Sequence, residues 1–163
     1  MGAEAEAKAG VNTQDIISAL KGHMKEGYKM HCLVNVIAAD KISLMNNKYF
    51  NKWKTIRETA SSMGIPQVVF MTRADCDCKI TEENLQNIYK SKKIRDKIIQ
   101  CSHLLGVPVN LVFPVVNYHQ ETDVNTDINC LMLDALKNIV PWANDYVKKC
   151  SNKQNSHQQP KIE

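Results

Sequence analysis

The chain lacks the features that mark membrane-spanning, glycosylated and secreted proteins. No apolar run approaches the roughly 20 residues that a transmembrane helix needs, and no Asn-x-Ser/Thr sequon is present. The N-terminus has neither the basic nor the apolar segment of a secretory signal. Met1-Gly2 invites an N-myristoylation reading, but Glu6 stands where that signal requires Ser or Thr. We therefore expect a protein without a membrane partner.

Paired cysteines and a strong positive charge are also lacking. The six cysteines are scattered, and Cys76-x-Cys78 is the one close pair. A zinc site would need two further ligands at suitable spacing, so we expect free thiols, a reducing compartment and no bound metal.

The net charge is only +4. The densest basic cluster comprises Lys90, Lys92, Lys93, Arg95 and Lys97. Such a cluster is more typical of a solvated helix face than of a phosphate-binding arm, so we expect no nucleic-acid partner.

What is present is the composition of one globular domain, with 163 residues of which 44% are apolar and 23% charged. Three apolar runs rich in β-branched residues predict buried strands at about 31–38, 67–72 and 109–115. Amphipathic helical patterns precede, separate and follow these runs. This alternation predicts a three-layer α/β fold with parallel strands, right-handed connections and helices on both faces of the sheet.

Punctuating residues predict where the helices begin and end. Asn12 or Thr13 is placed to cap the first helix. Glycines are placed to end three helices, at Gly27, Gly64 and Gly106. Pro141 removes one helical hydrogen bond, so we expect it to kink or restart the last helix.

Composition also divides the chain into three parts. Residues 1–11 are rich in Ala, Glu, Lys and Gly without an apolar period, which predicts a loose segment. Residues 12–150 carry all the strand and helix patterns and form the predicted domain. Residues 151–163 are mostly polar, which predicts a disordered tail.

The second strand ends in Thr72-Arg73-Ala74-Asp75. Ligands of open α/β sheets bind beyond the carboxyl ends of the strands, where Asn117 and Tyr118 also lie after the third strand. A carboxylate can accept hydrogen bonds from both N1–H and the exocyclic amine of guanine, a donor pair that adenine lacks. A planar Arg73 can lie over a base, and Thr72 can tie the two loops together. An ordinary polar turn after a strand has the same pattern, so both interpretations stay open.

Thr-x-x-Asp after an apolar strand resembles the Asn/Thr-Lys-x-Asp guanine-recognition motif of P-loop GTPases. Longer stretches are similar to the GTPase-like domain of the interferon-induced protein 44 and 44-like family, in a fish-type version. These stretches are Asp15–Tyr28, His31–Asp40, Leu104–Pro108 and Phe113–Tyr118. The resemblance covers about Asp15 to Val147.

This resemblance implies the C-terminal half of a P-loop GTPase-type domain, in which the three strands are adjacent and parallel. It places guanine recognition on Thr72, Arg73 and Asp75, with Arg73 replacing the usual Lys, and a second base contact on Val115–Tyr118, including Asn117 and Tyr118. It further implies weak GDP or GTP binding, residence in the cytoplasm and an interferon-induced, antiviral immune role.

One departure from the family is large, because no Gly-x4-Gly-Lys-Ser/Thr phosphate loop occurs in the chain. The opening Met1-Gly2-Ala3-Glu4 resembles a start inside the family's Asp-Thr-Met-Gly switch. We therefore expect an N-terminally truncated, non-enzymatic GTPase-like protein, because phosphoryl transfer depends on those missing groups. The strand at 31–38 would then be an unprotected apolar edge. Two alternatives remain: an interaction module that uses this edge to bind another copy or a full-length relative, and a non-functional fragment.

Overall fold

The structure is a computed structural model that describes residues 12–24, 29–45, 47–119 and 121–156. The loose segment predicted at 1–11 lies outside the described residues. The helices are α1 Thr13–Leu20, α2 Asn47–Ser62, α3 Lys79–Glu83, α4 Lys92–Leu105 and α5 Thr126–Ser156. The strands are β1 Leu33–Ala38, β2 Gln67–Thr72 and β3 Val112–Pro114. Single 3-10 turns lie at Ile42–Leu44, Leu85–Asn87 and Val109–Leu111.

The described strands form one open sheet in the order β1-β2-β3, and both strand pairs are parallel. The predicted α/β fold with three adjacent parallel strands is therefore confirmed. Two strand starts differ from the prediction. β1 begins at Leu33 instead of residue 31. β3 begins at Val112 instead of residue 109, because the amide of Leu111 bonds to the carbonyl of Pro108 and closes a 3-10 turn there.

Helices cover both faces of the sheet. On one face, Val69 of β2 and Val112 of β3 belong to a buried cluster with Phe50 of α2 and Ile98 of α4. α1 extends this layer, because its Leu20 joins a buried cluster with residues of α2. Two crossover helices on one face are what right-handed connections produce when strand order follows chain order.

The opposite face carries α5, which covers β2 and β3. Val68 of β2 and Phe113 of β3 are buried in a cluster with Ala135 and Ile139 of α5. β1 receives no comparable cover on this face, and its Val34 and Val36 remain 39% and 55% exposed. Because β1 is also an edge strand of the described sheet, the apolar edge strand that the sequence predicted is present in the described part of the chain.

The helix ends follow local chemistry at most of the predicted positions. The Asn12 side chain accepts a hydrogen bond from the amide of Gln14 and caps α1. Gly64 and Gly106 follow α2 and α4 with φ of 71° and 65°, which glycine adopts without strain. The prediction for Gly27 was wrong about the helix, because α1 ends at Leu20 and turns at Gly22, where φ is 82°. Residue 27 itself lies outside the described residues.

The last helix is longer than the sequence predicted. α5 does not restart at Pro141, and it continues to Ser156. The predicted disordered tail was therefore placed too early at residue 151. The Ser151 hydroxyl donates to the carbonyl of Val147, 3.1 Å away, so this serine satisfies its own polar group within the helix. Residues 157–163 lie outside the described part. No helix in the described residues is both long and apolar enough to cross a membrane.

Candidate functional site

The loop after β2 is held from beneath by a buried threonine. Thr81 is fully buried, and its hydroxyl lies 2.9 Å from the carbonyl of Ala74 and 2.7 Å from that of Cys78. The amide of Cys78 also bonds back to the carbonyl of Asp75. A buried hydrogen-bonded support of this kind fixes the position of the Asp75 carboxylate relative to the sheet.

Arg73 leaves the strand in a left-handed conformation, with φ of 57°. Among the described residues other than glycine, Arg73 is the one with a positive φ. Its guanidinium Nη2 lies 3.1 Å from Oδ2 of Asp40, the residue that follows β1 by two positions. Asp40 Oδ1 is buried without a hydrogen-bond partner among the described residues. Arg73 is therefore directed toward the loop after β1.

Thr72 connects the two strands and not the two loops. Its hydroxyl donates to the carbonyl of Ile37 on β1, at 3.4 Å. The expectation that Thr72 ties the loop after β2 to the loop after β3 is thus corrected. Its register explains the difference, because Thr72 lies opposite Ala38 in the β1–β2 pair and its neighbours are residues of β1.

Asp75 is half-buried and lines a cleft of about 540 Å³ at the carboxyl edge of the sheet. The loop after β3 contributes Val116 and His119 to the same cleft. The lining is strongly acidic, with carboxylates from Asp75, Glu82, Glu83, Glu121 and Asp127. A cleft with this charge favours neutral or cationic groups and opposes phosphate.

Asn117 and Tyr118 are exposed and do not line this cleft. The Tyr118 hydroxyl accepts a hydrogen bond from the amide of Asn125 at 2.8 Å and lies 3.0 Å from Oδ1 of Asn129. Tyr118 therefore links the loop after β3 to the start of α5. Of these five predicted residues, Asp75 is the one that lines the cleft. Thr72 and Arg73 precede it at the end of β2, and Asn117 and Tyr118 follow β3.

Comparison with curated proteins finds relatives along most of the chain. Human interferon-induced protein 44-like is 22% identical over an alignment of 171 residues with gaps, which covers 91% of this chain and 38% of that protein. Mouse interferon-induced protein 44 is 24% identical over 86% of this chain and 39% of the relative. Human interferon-induced protein 44 is 23% identical over 88% of this chain and 37% of the relative. The chain is homologous to these proteins.

The resemblance to the interferon-induced protein 44 and 44-like family, read first from residues such as Asp15–Tyr28, is therefore confirmed. The chain spans about two fifths of the length of the curated relatives it matches. No family model matches the chain, and no solved structure matches it.

Two thiols follow Asp75 in the chain of this interferon-induced protein 44 homologue, and one of them contacts its carboxylate. The Cys76 thiol donates to Oδ2 of Asp75 at 3.6 Å, and desolvation followed by the Asp75 charge raises the pKa of Cys76. Cys78 Sγ lies 3.3 Å from Oγ of Ser91, and this hydrogen bond lowers the pKa of Cys78. Among the described residues, no three His, Cys, Asp or Glu side chains lie close enough together to hold a metal ion.

Sequence reasoning overlooked Asp40 as the partner of Arg73. Asp40 follows β1 at the same edge where Arg73 follows β2. Parallel pairing of Ala38 with Thr72 brings the two side chains together. The acidic residues of the cleft were also missed, because α3 and the loop before α5 reach Asp75 only in the folded chain.

Proposed function

We propose that the chain recognises a guanine base through the Asp75 carboxylate. The observation that carries this proposal is the placement of a half-buried carboxylate at the carboxyl end of β2, in a cleft of about 540 Å³. A carboxylate accepts both hydrogen bonds from N1–H and the exocyclic amine of guanine. Adenine presents no such pair, so it would leave the carboxylate unpaired, which is costly in a partly buried site.

Neighbouring groups support this role for Asp75. Thr81 fixes the loop from below, so little conformational entropy is lost when the carboxylate engages a base. Arg73 is the cation that we propose lies over the base, and Asp40 restrains it from the side of β1. Val116 supplies apolar surface from the loop after β3, while Asn117 and Tyr118 hold the shape of that loop.

We propose base recognition without hydrolysis. The carboxylates of Glu82, Glu83, Glu121 and Asp127 lie around Asp75 and repel phosphate groups. The printed sequence contains no Gly-x4-Gly-Lys-Ser/Thr loop to offset that repulsion. Binding of GDP and GTP is therefore weak, and guanosine binds at least as tightly as either nucleotide.

Titration of the purified chain with guanosine, adenosine and GDP, followed by NMR shifts of the backbone amides, tests the proposal. Guanosine should shift the amides around Asp75, and Asp75→Ala should weaken its binding at least roughly tenfold, since hydrogen bonds to a charged group are lost. Asp123→Ala removes an exposed carboxylate outside this cleft and serves as the matched control. Equal binding of guanosine and adenosine would contradict guanine recognition.

A second function is favoured by the edge strand. Val34 and Val36 of β1 are exposed, and in the described residues β1 pairs with β2 alone. We propose as the alternative that β1 accepts a strand from another copy or from a longer relative, as unprotected edges do. Sedimentation at rising concentration should reveal association that Val36→Lys abolishes and Val124→Lys, at a separate exposed valine, leaves unchanged. A monomer at all concentrations, with and without a longer relative, would count against this role.

The relatives are named as interferon-induced proteins. We propose that the chain is induced by interferon, acts in the antiviral response and resides in the cytoplasm. Transcript measurement in cells with and without interferon tests the first statement, viral yield in infected cells with and without the chain tests the second, and imaging of the tagged full chain tests the third. An unchanged transcript level would contradict the first.

A further inference from the structure

A second cavity lies at the opposite edge of the sheet from Asp75. It has a volume of about 220 Å³ and lies between the end of α1, the segment that enters β1 and the last turns of α5. Met30 and His31 reach it immediately before β1, and Met63 reaches it from the end of α2. The two cavities therefore share no lining residue and are separated by the length of the strands.

The interior of this cavity is apolar. Leu20, Met30, Met63 and Val147 present hydrocarbon and thioether groups to it. Tyr146 is the aromatic member of the lining, and burial together with a hydrogen bond to the thiol of a neighbouring cysteine raises its pKa.

The described rim of the cavity has one sign of charge. Lys21 and Lys29 are exposed at its mouth, with His31 beside them. No Asp or Glu occurs among the described residues that line it. An apolar interior with ammonium groups at its described rim suits a ligand that has a hydrocarbon part and one negative charge.

The volume limits the size of such a ligand. An apolar protein cavity of about 150 Å³ holds a benzene molecule, so this cavity of about 220 Å³ has room for a somewhat larger group. We propose that it binds a small amphipathic carboxylate, the size of a medium-chain fatty acid, with its hydrocarbon part inside and its carboxylate at Lys21 and Lys29. This site is independent of guanine recognition at Asp75.

Calorimetric titration of the full chain with sodium octanoate tests this site, with octylammonium as a probe of the same length and opposite charge. Octanoate should bind at one site, and octylammonium should bind at least roughly tenfold more weakly, because two ammonium groups face it. The double variant Lys21→Glu/Lys29→Glu should reverse that preference. Lys148→Glu/Lys149→Glu changes the net charge equally at exposed positions outside the lining and should leave octanoate binding unchanged.

A cavity-filling variant separates the interior from the rim. Val147→Trp places an indole in the cavity and should abolish octanoate binding, while guanosine-dependent shifts around Asp75 stay unchanged. The proposal is overturned if octanoate fails to bind the unmodified chain, if both ions bind equally, or if Lys21→Glu/Lys29→Glu and Lys148→Glu/Lys149→Glu weaken binding to the same extent. The rim variants keep this test decisive even if Val147→Trp does not fold.

Discussion

Arg73 occupies a backbone conformation in which its side chain is a disadvantage. Its φ is 57°, and a left-handed residue with a Cβ costs roughly 1–2 kcal/mol relative to the ordinary helical region. Glycine avoids this cost, but a new glycine also adds unfolded-chain entropy worth about 0.5–1 kcal/mol. The difference between the mid-range values predicts that Arg73→Gly is more stable than Arg73→Ala by about 0.75 kcal/mol.

Both variants lose the ion pair with Asp40, so its contribution cancels between them. Against the unmodified chain the pair matters little, since the Arg73 side chain is 54% exposed and that of Asp40 18% exposed. Water screening limits such a pair to about 0.5 kcal/mol. We therefore expect Arg73→Ala to lose about 0.5 kcal/mol and Arg73→Gly to match or exceed the unmodified chain.

Urea unfolding, followed by the fluorescence of Trp53 and Trp142, measures these differences as shifts in midpoint at a common slope. Gly64→Ala is the matched control. Gly64 has φ of 71°, and a Cβ built there meets nothing within 4 Å, so its loss reports the backbone term alone. The reasoning is refuted if Gly64→Ala is destabilised while Arg73→Ala is as stable as Arg73→Gly.

Three further predictions concern the same loop. Asp75→Asn should change the binding preference of the chain from guanosine to xanthosine in the NMR titration, because the amide presents a donor to the xanthine carbonyl. Loss of binding to both nucleosides would argue against direct base contact. Ser91→Ala should raise the pKa of Cys78 toward its ordinary value. Alkylation of the Cys78 thiol by iodoacetamide should then shift to higher pH. An unchanged pH profile would contradict the role of the hydrogen bond. Thr81→Val should cost about 1–3 kcal/mol in urea unfolding, since buried carbonyls such as that of Ala74 lose a donor; a change near zero would show that the loop does not depend on it.

Local chemistry sufficed to predict most of the fold. β2 lies where its apolar run predicted it, at 67–72. Gly64 and Gly106 end helices as expected, because the turn they make depends on neighbouring residues alone. The start of β3 was not predictable in this way, since the apolar residues Val109 and Leu111 continue the pattern of the strand but follow Pro108 in a tight turn.

The candidate site was predictable in its loop and not in its surroundings. The strand pattern placed Thr72, Arg73 and Asp75 at the carboxyl edge. The pairing of Arg73 with Asp40 depends on strand register, which no single run of residues contains. The acidity of the cleft likewise arises from α3 and the start of α5, which are distant from Asp75 along the chain and reach it only through packing.

Sheet order has a consequence for biosynthesis. Because β1, β2 and β3 adopt in space the order in which they leave the ribosome, each strand can pair with one already made, without waiting for a distant partner. The face of Val68 and Phe113 is different, since its cover comes from Ala135 and Ile139 near the end of the chain. A nascent chain that ends before α5 presents this apolar face to solvent, and chaperone binding should persist until α5 has emerged.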